Sequence, residues 1–354
     1  MKNILYLLFF TLSTSHDLSS QNFISVHNGN TVSFYKKLDD AINDANNGDT
    51  IFIPGGFWEI NVQITKSLHI IGVGHNPDSA KASLITILEG RLVIEAGNGS
   101  ITGVYNKGGI NGSGIWEYYN TPVSNYNIVR CRIDGGIHLQ LSCTNWNFIE
   151  NVIHGGVENL SNGSSSFCTF YNNIFDGSCR WVSAVPFIRS VFKNNLFLAK
   201  SNENGSGFFP IFSSNSLYEN NIFIGNDNNG LSVTFRDVNS IYNNNIFVEN
   251  WGSPQIGSCN CLGSNNIINQ SQSSIFVNQI GNLFNFTHNY HLQNSSPGKN
   301  AGSDGQDIGI YGGFYPWKEG SLPANPHIEF KQISNNTDQN GNLKINIKVK
   351  AQNN

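Results

Sequence analysis

The chain has 354 residues, a net charge of −4 and only 12% charged residues, and it contains 36 glycines. Low charge and abundant glycine argue against long surface helices. The small net charge and the lack of a basic patch argue against a nucleic-acid partner. Disorder is disfavoured because 39% of the residues are hydrophobic, including 24 Phe and 12 Tyr, which is too much apolar surface to leave in water.

Residues 1–20 are predicted to be a secretory signal peptide. Lys2 precedes an apolar stretch from Ile4 to Leu12, and the small residues Ser19 and Ser20 offer a cleavage site. The apolar stretch is too short to span a membrane, and no later segment is apolar enough to do so. We therefore expect a secreted protein without a membrane span, located extracellularly, at the cell surface or in the periplasm.

A short amphipathic helix is predicted from Tyr35 to Asn46, with Leu38, Ile42 and Ala45 on its apolar side. The next segment, GDTIFIPGG at 48–56, predicts a first strand. A helix in this place would cover the open end of a solenoid, where the core would otherwise be exposed. Further along the chain, residues 106–120 are expected to leave the barrel as a loop.

A repeat of 20 to 26 residues fills the middle of the chain. Its anchor positions are Cys131, Asn151, Asn173, Asn195, Asn221, Asn245 and Asn266. The positions three before and two after most anchors are large and apolar, so both should point inward. Asparagine tolerates the left-handed backbone of a sharp bend. Its amide can also bond to the copy about 4.8 Å away in the next coil.

A second strand precedes each bend by about ten residues, and the candidate segments are 138–142, 182–187, 208–212 and 232–236. Short strands without intervening helices predict an all-β fold, a right-handed parallel β-helix solenoid with an N-terminal capping helix and a C-terminal β extension. We assign residues 21–315 to the solenoid and 316–354 to a tail.

Six cysteines occur, at positions 131, 143, 168, 179, 259 and 261. Disulfides are permitted in a secreted protein, but six cysteines allow fifteen pairings and the sequence does not choose among them. The alternative is that they are small buried hydrophobic residues. The segment Cys259-Asn-Cys261 has no second pair at metal-binding spacing, so we expect neither a metal nor another cofactor.

The cap helix, the segment at 48–56, the coils with paired asparagines and the closing SPGKNAGSDGQDIGIYGG at 296–313 resemble the pectin-lyase-like β-helix superfamily, including its secreted bacterial members. The resemblance covers about residues 30–315 and implies a polysaccharide ligand. Calcium-dependent lyases of this superfamily use clustered acidic residues with an Arg or Lys base, and its pectin hydrolases use closely spaced aspartates. Neither set is evident in this sequence.

One group of ionisable residues stands out. Asp134, His154 and Asp176 lie three positions after consecutive anchors, and Arg132 lies on the same face. The two carboxylates should be about 9 to 10 Å apart with the imidazole between them. Such carboxylates could flank a sugar and a water, as inverting hydrolases require. The alternative is an ordinary polar patch. We take these four as candidate catalytic residues.

Two functions remain open on the sequence alone. The first is a monomeric protein that binds an extracellular polysaccharide and processes it as a lyase or glycoside hydrolase. The second is a non-catalytic cell-surface, structural or adhesion module. A cleft of ionisable residues would favour the first, and a smooth polar surface the second.

The tail carries a strictly alternating stretch from Leu343 to Lys350, which predicts a half-buried strand. The outward positions of the coils form an apolar stripe made of Ile174, Leu196, Leu198, Ile222, Ile224, Ile246 and Val248. Such a stripe is too contiguous to leave in water. We expect residues 321–354 to fold back and cover part of it. The alternative is that the tail is the start of a sorting or attachment element and that a partner chain covers the stripe.

Overall fold

The computed structural model describes residues 22–107, 114–117, 122–139, 142–155, 157–159, 163–176, 186–199, 213–225, 237–248 and 259–351. The predicted signal peptide lies outside these residues. So do Cys179 and the predicted second strands at 208–212 and 232–236.

The chain winds into a right-handed parallel β-helix with three sheets, as the repeat predicted. Sheet 1 has twelve strands, in spatial order β2 (Thr31–Tyr35), β1 (Ile24–Asn28), β3 (Thr50–Phe52), β6 (His69–Ile71), β9 (Ser100–Thr102), β12 (Asn127–Val129), β15 (Asn147–Ile149), β18 (Thr169–Tyr171), β21 (Val191–Lys193), β24 (Leu217–Glu219), β26 (Ile241–Asn243) and β28 (Leu262–Ser264).

Sheet 2 has ten strands, β4 (Gly56–Glu59), β7 (Thr86–Glu89), β10 (Tyr105–Lys107), β13 (Arg132–Ile133), β16 (Val152–Ile153), β19 (Ile174–Phe175), β22 (Leu196–Ala199), β25 (Ile222–Gly225), β27 (Ile246–Val248) and β29 (Ile267–Gln270). Sheet 3 has five, β5 (Gln63–Ile64), β8 (Arg91–Ile94), β11 (Gly114–Glu117), β14 (Ile137–Leu139) and β17 (Val157–Asn159). Three two-stranded pairs are β20 (Phe187–Ile188) with β23 (Ser213–Ser214), β30 (Phe276–Asn278) with β31 (Asn289–Leu292), and β32 (His327–Ile333) with β33 (Ile345–Lys350).

The bend between sheets 1 and 2 uses the two asparagines of each coil differently. The first takes the left-handed conformation, with φ of 55° at Asn172 and 58° at Asn194. The second turns inward and stacks: Oδ1 of Asn195 accepts hydrogen bonds from the backbone N (2.9 Å) and Nδ2 (3.0 Å) of Asn173. The same contacts link the other anchors from Asn151 to Asn266. The predicted amide stack is confirmed.

Aromatic rings stack inside the solenoid on both sides of this bend. On the sheet 1 side, the centroids of Phe170 and Phe192 are 4.5 Å apart, with an interplanar angle of 10°. On the sheet 2 side, the rings of Phe197 and Phe223 are 4.8 Å apart. All four side chains are fully buried. The coil spacing thus aligns the amides and the rings in continuous internal columns.

The N-terminal end is covered by helix α1 (Leu38–Asp44), which is shorter than the predicted helix because β2 ends only at Tyr35. Leu38, Ile42 and Ala45 are buried, as predicted. The hairpin of β1 and β2 adds two antiparallel strands to this end of sheet 1, an addition that the repeat did not indicate.

The prediction that residues 106–120 form a loop is wrong for the described part of this segment. Strand β10 ends at Lys107 and pairs with β7 and β13, while β11 pairs with β8 and β14. Asn106 is fully buried; its side chain accepts a hydrogen bond from Gly114 N (2.9 Å) and donates one to Gly90 O (3.0 Å). These bonds connect the end of sheet 2 to the start of sheet 3, so residues 106–107 and 114–117 belong to a regular coil.

The apolar stripe on sheet 2 is covered, but not by the segment that we expected. The residues over it are Ile275, Phe276, Tyr290, Leu292, Ile308, Ile310 and Trp317. Gly309 comes so close that an added Cβ would lie 2.6 Å from Cδ1 of Ile222. The tail instead forms the hairpin of β32 and β33, and its side chains at 343, 345, 347 and 349 are 45 to 60% exposed. The predicted covering by residues 321–354 is therefore wrong.

The strap, defined as residues 298–322, is held by side chains at the sheet 1–sheet 2 bend. Nδ2 of Asn172 donates to the carbonyl oxygens of Ile310 (2.9 Å) and Gly312 (2.8 Å). Asn194, Asn220 and Asn244 bind strap residues further along the solenoid. Apart from the bond from Asn220 Nδ2 to Ser303 Oγ, these contacts involve backbone groups of the strap, which explains why no alternating pattern marks it in the sequence.

The first bends carry an ion pair where later coils have asparagine. Arg130 and Glu150 are both buried and form two contacts of 3.2 Å. Arg130 also donates to Leu322 O (3.0 Å), and Glu150 accepts from Lys318 N (3.0 Å). The ion pair therefore anchors the C-terminal end of the strap to the solenoid.

Both interpretations of the cysteines, as disulfides and as small buried residues, apply to those that the structure describes. Cys259 and Cys261 form a disulfide. Cys131, Cys143 and Cys168 are buried, and burial raises the pKa of the Cys131 and Cys168 thiols to about 12.

Candidate functional site

The outward face of sheet 2 carries ionisable side chains on six successive coils. This ionisable row consists of Glu59, Glu89, Lys107, Asp134, His154 and Asp176. Backbone pairing aligns the first three directly. The others follow through hydrogen bonds from the backbone N of residue 134 to Asn106 O, of residue 154 to Ile133 O, and of residue 176 to Ile153 O. Neighbouring members are therefore about 4.8 Å apart along the solenoid.

Asp134 is held by two neighbours on the same face. Its Oδ1 accepts a hydrogen bond from Arg132 Nε at 2.9 Å, and its Oδ2 accepts one from the Tyr105 hydroxyl at 2.5 Å. Burial, with the nearby Asp134 carboxylate, raises the pKa of Tyr105 to about 12, so the phenol keeps its proton at neutral pH. The result is a fixed group in which a phenol and a guanidinium share one carboxylate.

Arg132 is positioned by aromatic rings as well as by charge. Its Cζ lies 4.7 Å from the ring centroid of Tyr105 and 5.9 Å from that of Phe286. The Arg132 side chain is still 31% exposed. Contacts between a guanidinium and ring faces are favourable, so Arg132 presents a positive charge with little freedom to move.

His154 and Asp176 form a second pair. His154 Nδ1 lies 2.9 Å from Asp176 Oδ1, and Asp176 Oδ2 accepts a hydrogen bond from Phe284 N at 3.0 Å. The imidazole is 45% exposed, whereas the Asp176 side chain is only 9% exposed. Because the Asp176 carboxylate can only accept a hydrogen bond, Nδ1 of a neutral His154 ring carries the proton. The lone pair of that ring is then on Nε2.

All four sequence-predicted residues lie on one face, where they are joined in two pairs, and of these side chains only that of Asp176 is buried. Asp134 contacts Arg132, and Asp176 lies behind His154 under the backbone of Phe284. The arrangement therefore does not provide two exposed carboxylates with a water between them. It offers a fixed cation beside an imidazole that is oriented by a buried carboxylate. The catalytic role of the four residues stays a prediction.

His75 is a neighbour of this site that the sequence analysis missed. It is 1% exposed, and neither ring nitrogen has a hydrogen-bond partner within the described residues. Burial and the charge of Arg132 lower the His75 pKa to about 3, which keeps the ring neutral. Its centroid lies 5.8 Å from that of Phe286. His75 precedes the repeat region, so spacing gave no signal for it.

Tyr105, Lys107 and Glu89 were also missed, although a signal for the first two existed. Aligning Ile101 with Ile128, its partner in sheet 1, places Val104 at the anchor. Tyr105 then falls beside Arg132, and Lys107 falls beside Asp134.

Among the described residues, no group of three or more His, Cys, Asp or Glu side chains is arranged to hold a metal ion. The one α-helix in the same part of the chain is far too short to cross a membrane, and no candidate span was found there.

No protein-family model matches the chain, and no curated protein matches it. Among solved structures it is similar to a mutant form of the PL6 family alginate lyase AlyGC, with 14% sequence identity and a TM-score of 0.35. The match covers 85% of this chain but only 58% of that chain. At this identity and TM-score the likeness carries no conclusion about function. The sheet topology of the described residues shows by itself a parallel β-helix with a row of ionisable side chains along sheet 2.

Proposed function

We propose that this protein binds an extracellular polysaccharide at the part of the ionisable row where Arg132 and Lys107 supply positive charge, and cleaves it there. The observation that carries the proposal is the contact between His154 and the buried Asp176, one coil from the Arg132–Asp134 pair. An imidazole held in one orientation by a carboxylate is a recurrent general base. Together with a fixed cation on the next coil, it can act on a bound acidic sugar.

The proposed reaction is an elimination on a uronic acid unit. Arg132, with the exposed Lys107 nearby, neutralises the sugar carboxylate and so makes the adjacent C–H bond more acidic. His154 Nε2 takes that proton, the electron pair forms a carbon–carbon double bond, and the glycosidic C–O bond breaks. The leaving oxygen takes a proton from solvent. Asp176 stabilises the imidazolium that forms.

Elimination is favoured over hydrolysis by the state of the two carboxylates. An inverting hydrolase needs one carboxylic acid and one carboxylate open to the substrate and a water. Asp176 is buried, and Asp134 is bonded to both Arg132 and Tyr105. Neither carboxylate is therefore in a position to activate a water beside the sugar.

The test is product analysis after incubation with alginate, polygalacturonate and hyaluronan. Elimination leaves an unsaturated sugar end, which absorbs ultraviolet light and weighs one water less than the hydrolysis product. We expect such products from the native protein, and none from His154→Ala. His69→Ala, on the outward face of sheet 1, is the matched control and should retain activity. If the only products had saturated sugar ends, formed by addition of water, the elimination mechanism would be contradicted.

The alternative is a non-catalytic surface, structural or adhesion module. It is favoured by the hairpin of β32 and β33, which displays exposed apolar side chains next to Lys348 and Lys350. Binding to any of the three polysaccharides without cleavage would support this alternative.

A further inference from the structure

We propose that the protein has a second sugar-binding surface on sheet 1, separate from the ionisable row. This aromatic platform consists of Tyr171, Phe314 and Tyr315. It is inferred to bind a polysaccharide chain through ring stacking and hydrogen bonds, without catalysing a reaction. It shares only the ligand class with the proposed function.

The platform combines one half-buried ring, Tyr171, with two solvent-facing rings. Phe314 is 87% exposed, the highest value among the large hydrophobic side chains of the described residues, and Tyr315 is 36% exposed. The Tyr315 ring lies 5.6 Å from Tyr171 with an interplanar angle of 38°, and Phe314 meets Tyr315 edge-on at 4.9 Å. The three rings support each other from strand β18 outward.

The backbone that carries the platform is fixed on both sides. Asn172 binds the carbonyl oxygens of Ile310 and Gly312, and Trp317 N donates to Ile310 O at 2.7 Å. Trp317 itself is 8% exposed and packs on the apolar stripe. The backbone anchored on both sides therefore keeps the Phe314 ring exposed to solvent. Leaving such a ring exposed forgoes the free energy of burying its apolar surface, and a ligand that covers the ring would recover part of it.

The surroundings of the platform are polar and regularly spaced. The outward column of sheet 1 continues from Tyr171 through Lys193, Glu219, Asn243 and Ser264 on successive coils. Lys193 Nζ and Glu219 Oε2 are 2.7 Å apart, and Ser264 Oγ donates to Asn243 Oδ1 at 2.7 Å. The column therefore offers paired donors and acceptors with no net charge.

A sugar chain fits this combination better than a protein does. A sugar ring has an apolar face for an aromatic ring and a rim of hydroxyls for polar side chains. A stable protein interface needs about 800 Å² on each partner and an apolar centre depleted of charge. Two exposed rings beside an ion pair provide neither. The balanced charge of the column also favours a neutral polysaccharide over an acidic one.

Affinity electrophoresis tests the platform, with native gels that contain hydroxyethylcellulose, laminarin or alginate. We expect retardation of the native protein by at least one neutral glucan. The double variant Phe314→Ala with Tyr315→Ala should bind it about tenfold more weakly, which corresponds to about 1.4 kcal/mol. Phe34→Ala is the matched control, because Phe34 is 67% exposed on the cap hairpin. Thermal unfolding of each variant verifies the fold.

Two outcomes would overturn the inference. One is the absence of retardation of the native protein in all three gels, and the other is equal retardation of the double variant and the native protein. His154→Ala should be retarded by the neutral glucan like the native protein. A protein that binds through the platform but releases no unsaturated product would therefore contradict the proposed function and leave the platform intact.

Discussion

Replacing Asn195 by alanine should unfold the solenoid more easily than replacing any asparagine of its outer surface. The Asn195 amide accepts from Asn173 N and Nδ2 and donates to Phe170 O (2.8 Å) and Asn221 Oδ1 (2.9 Å). Asn173 Nδ2 retains Phe148 O, and Asn221 Oδ1 retains the backbone N of residue 195. The buried Asn173 N–H loses its side-chain acceptor. An unsatisfied buried group costs about 1 to 3 kcal/mol, and the three other lost bonds add about 1 kcal/mol each, so we expect a loss of about 4 to 6 kcal/mol.

The assay is urea unfolding followed by circular dichroism, with Asn147→Ala as the matched control. Asn147 also stacks, with bonds to Asn127 Oδ1 (2.8 Å) and from Thr169 Oγ1 (2.6 Å), but it lies on the outward face of sheet 1 where water can replace these partners. Its loss should cost about 1 kcal/mol or less. Equal effects of the two substitutions would refute the claim that burial of the amide stack stabilises the coil.

Three further predictions follow from the cap, the core and the C-terminal segments. Ile42→Asp should destabilise the protein by several kcal/mol, because it buries an unpaired charge under helix α1; a melting temperature within about 2 °C of the native one would contradict the packing of the cap. Burial raises the pKa of Asp237 from 3.8 to about 6, so the folded state favours the protonated form, and stability should fall by about 3 kcal/mol between about pH 4 and 6. Comparing pH-dependent melting with that of Asp237→Asn isolates this contribution, and identical profiles would refute it. Deletion of residues 324–354 should leave the melting temperature unchanged, whereas Trp317→Ala should cost about 3 to 5 kcal/mol; the reverse order would show that the tail, not the strap, stabilises the solenoid.

The coils could be predicted from the sequence because their physical cause repeats. Each coil needs a left-handed residue, an inward amide and inward rings at fixed offsets, and these recur from Asn151 to Asn266. The coil at Ile101 was followed only as far as Tyr105 because glycine and valine replace the paired asparagines there. The register of β10 with β13 was therefore lost.

The sequence predicted that sheet 2 is covered, but it did not predict which segment covers it. Contiguous outward residues such as Leu196 and Ile222 required a cover. Alternation made the tail the natural choice, yet Ile345 and Ile347 are exposed on a separate hairpin. Most hydrogen bonds between the strap and the bend asparagines use backbone groups of the strap, and such groups belong to every residue type.

The candidate site was predicted only as far as the repeat extends. Asp134, His154 and Asp176 share a column, so their common face followed from spacing. His75 and Phe286 lie outside the repeat and reach the site through tertiary packing. No local pattern could bring them together with Arg132.

The turnover rate of Asp176→Asn tests the central claim most directly. The asparagine is close to isosteric and can still accept the hydrogen bond from Phe284 N, but it no longer provides the negative charge beside His154. On the polyuronate that we propose as the substrate, we expect kcat to fall at least about 100-fold with little change in melting temperature. The matched control is Asp304→Asn, an exposed carboxylate of the strap, which should keep the native rate. A folded Asp176→Asn protein that turns over at the native rate would contradict the role of this pair as the general base.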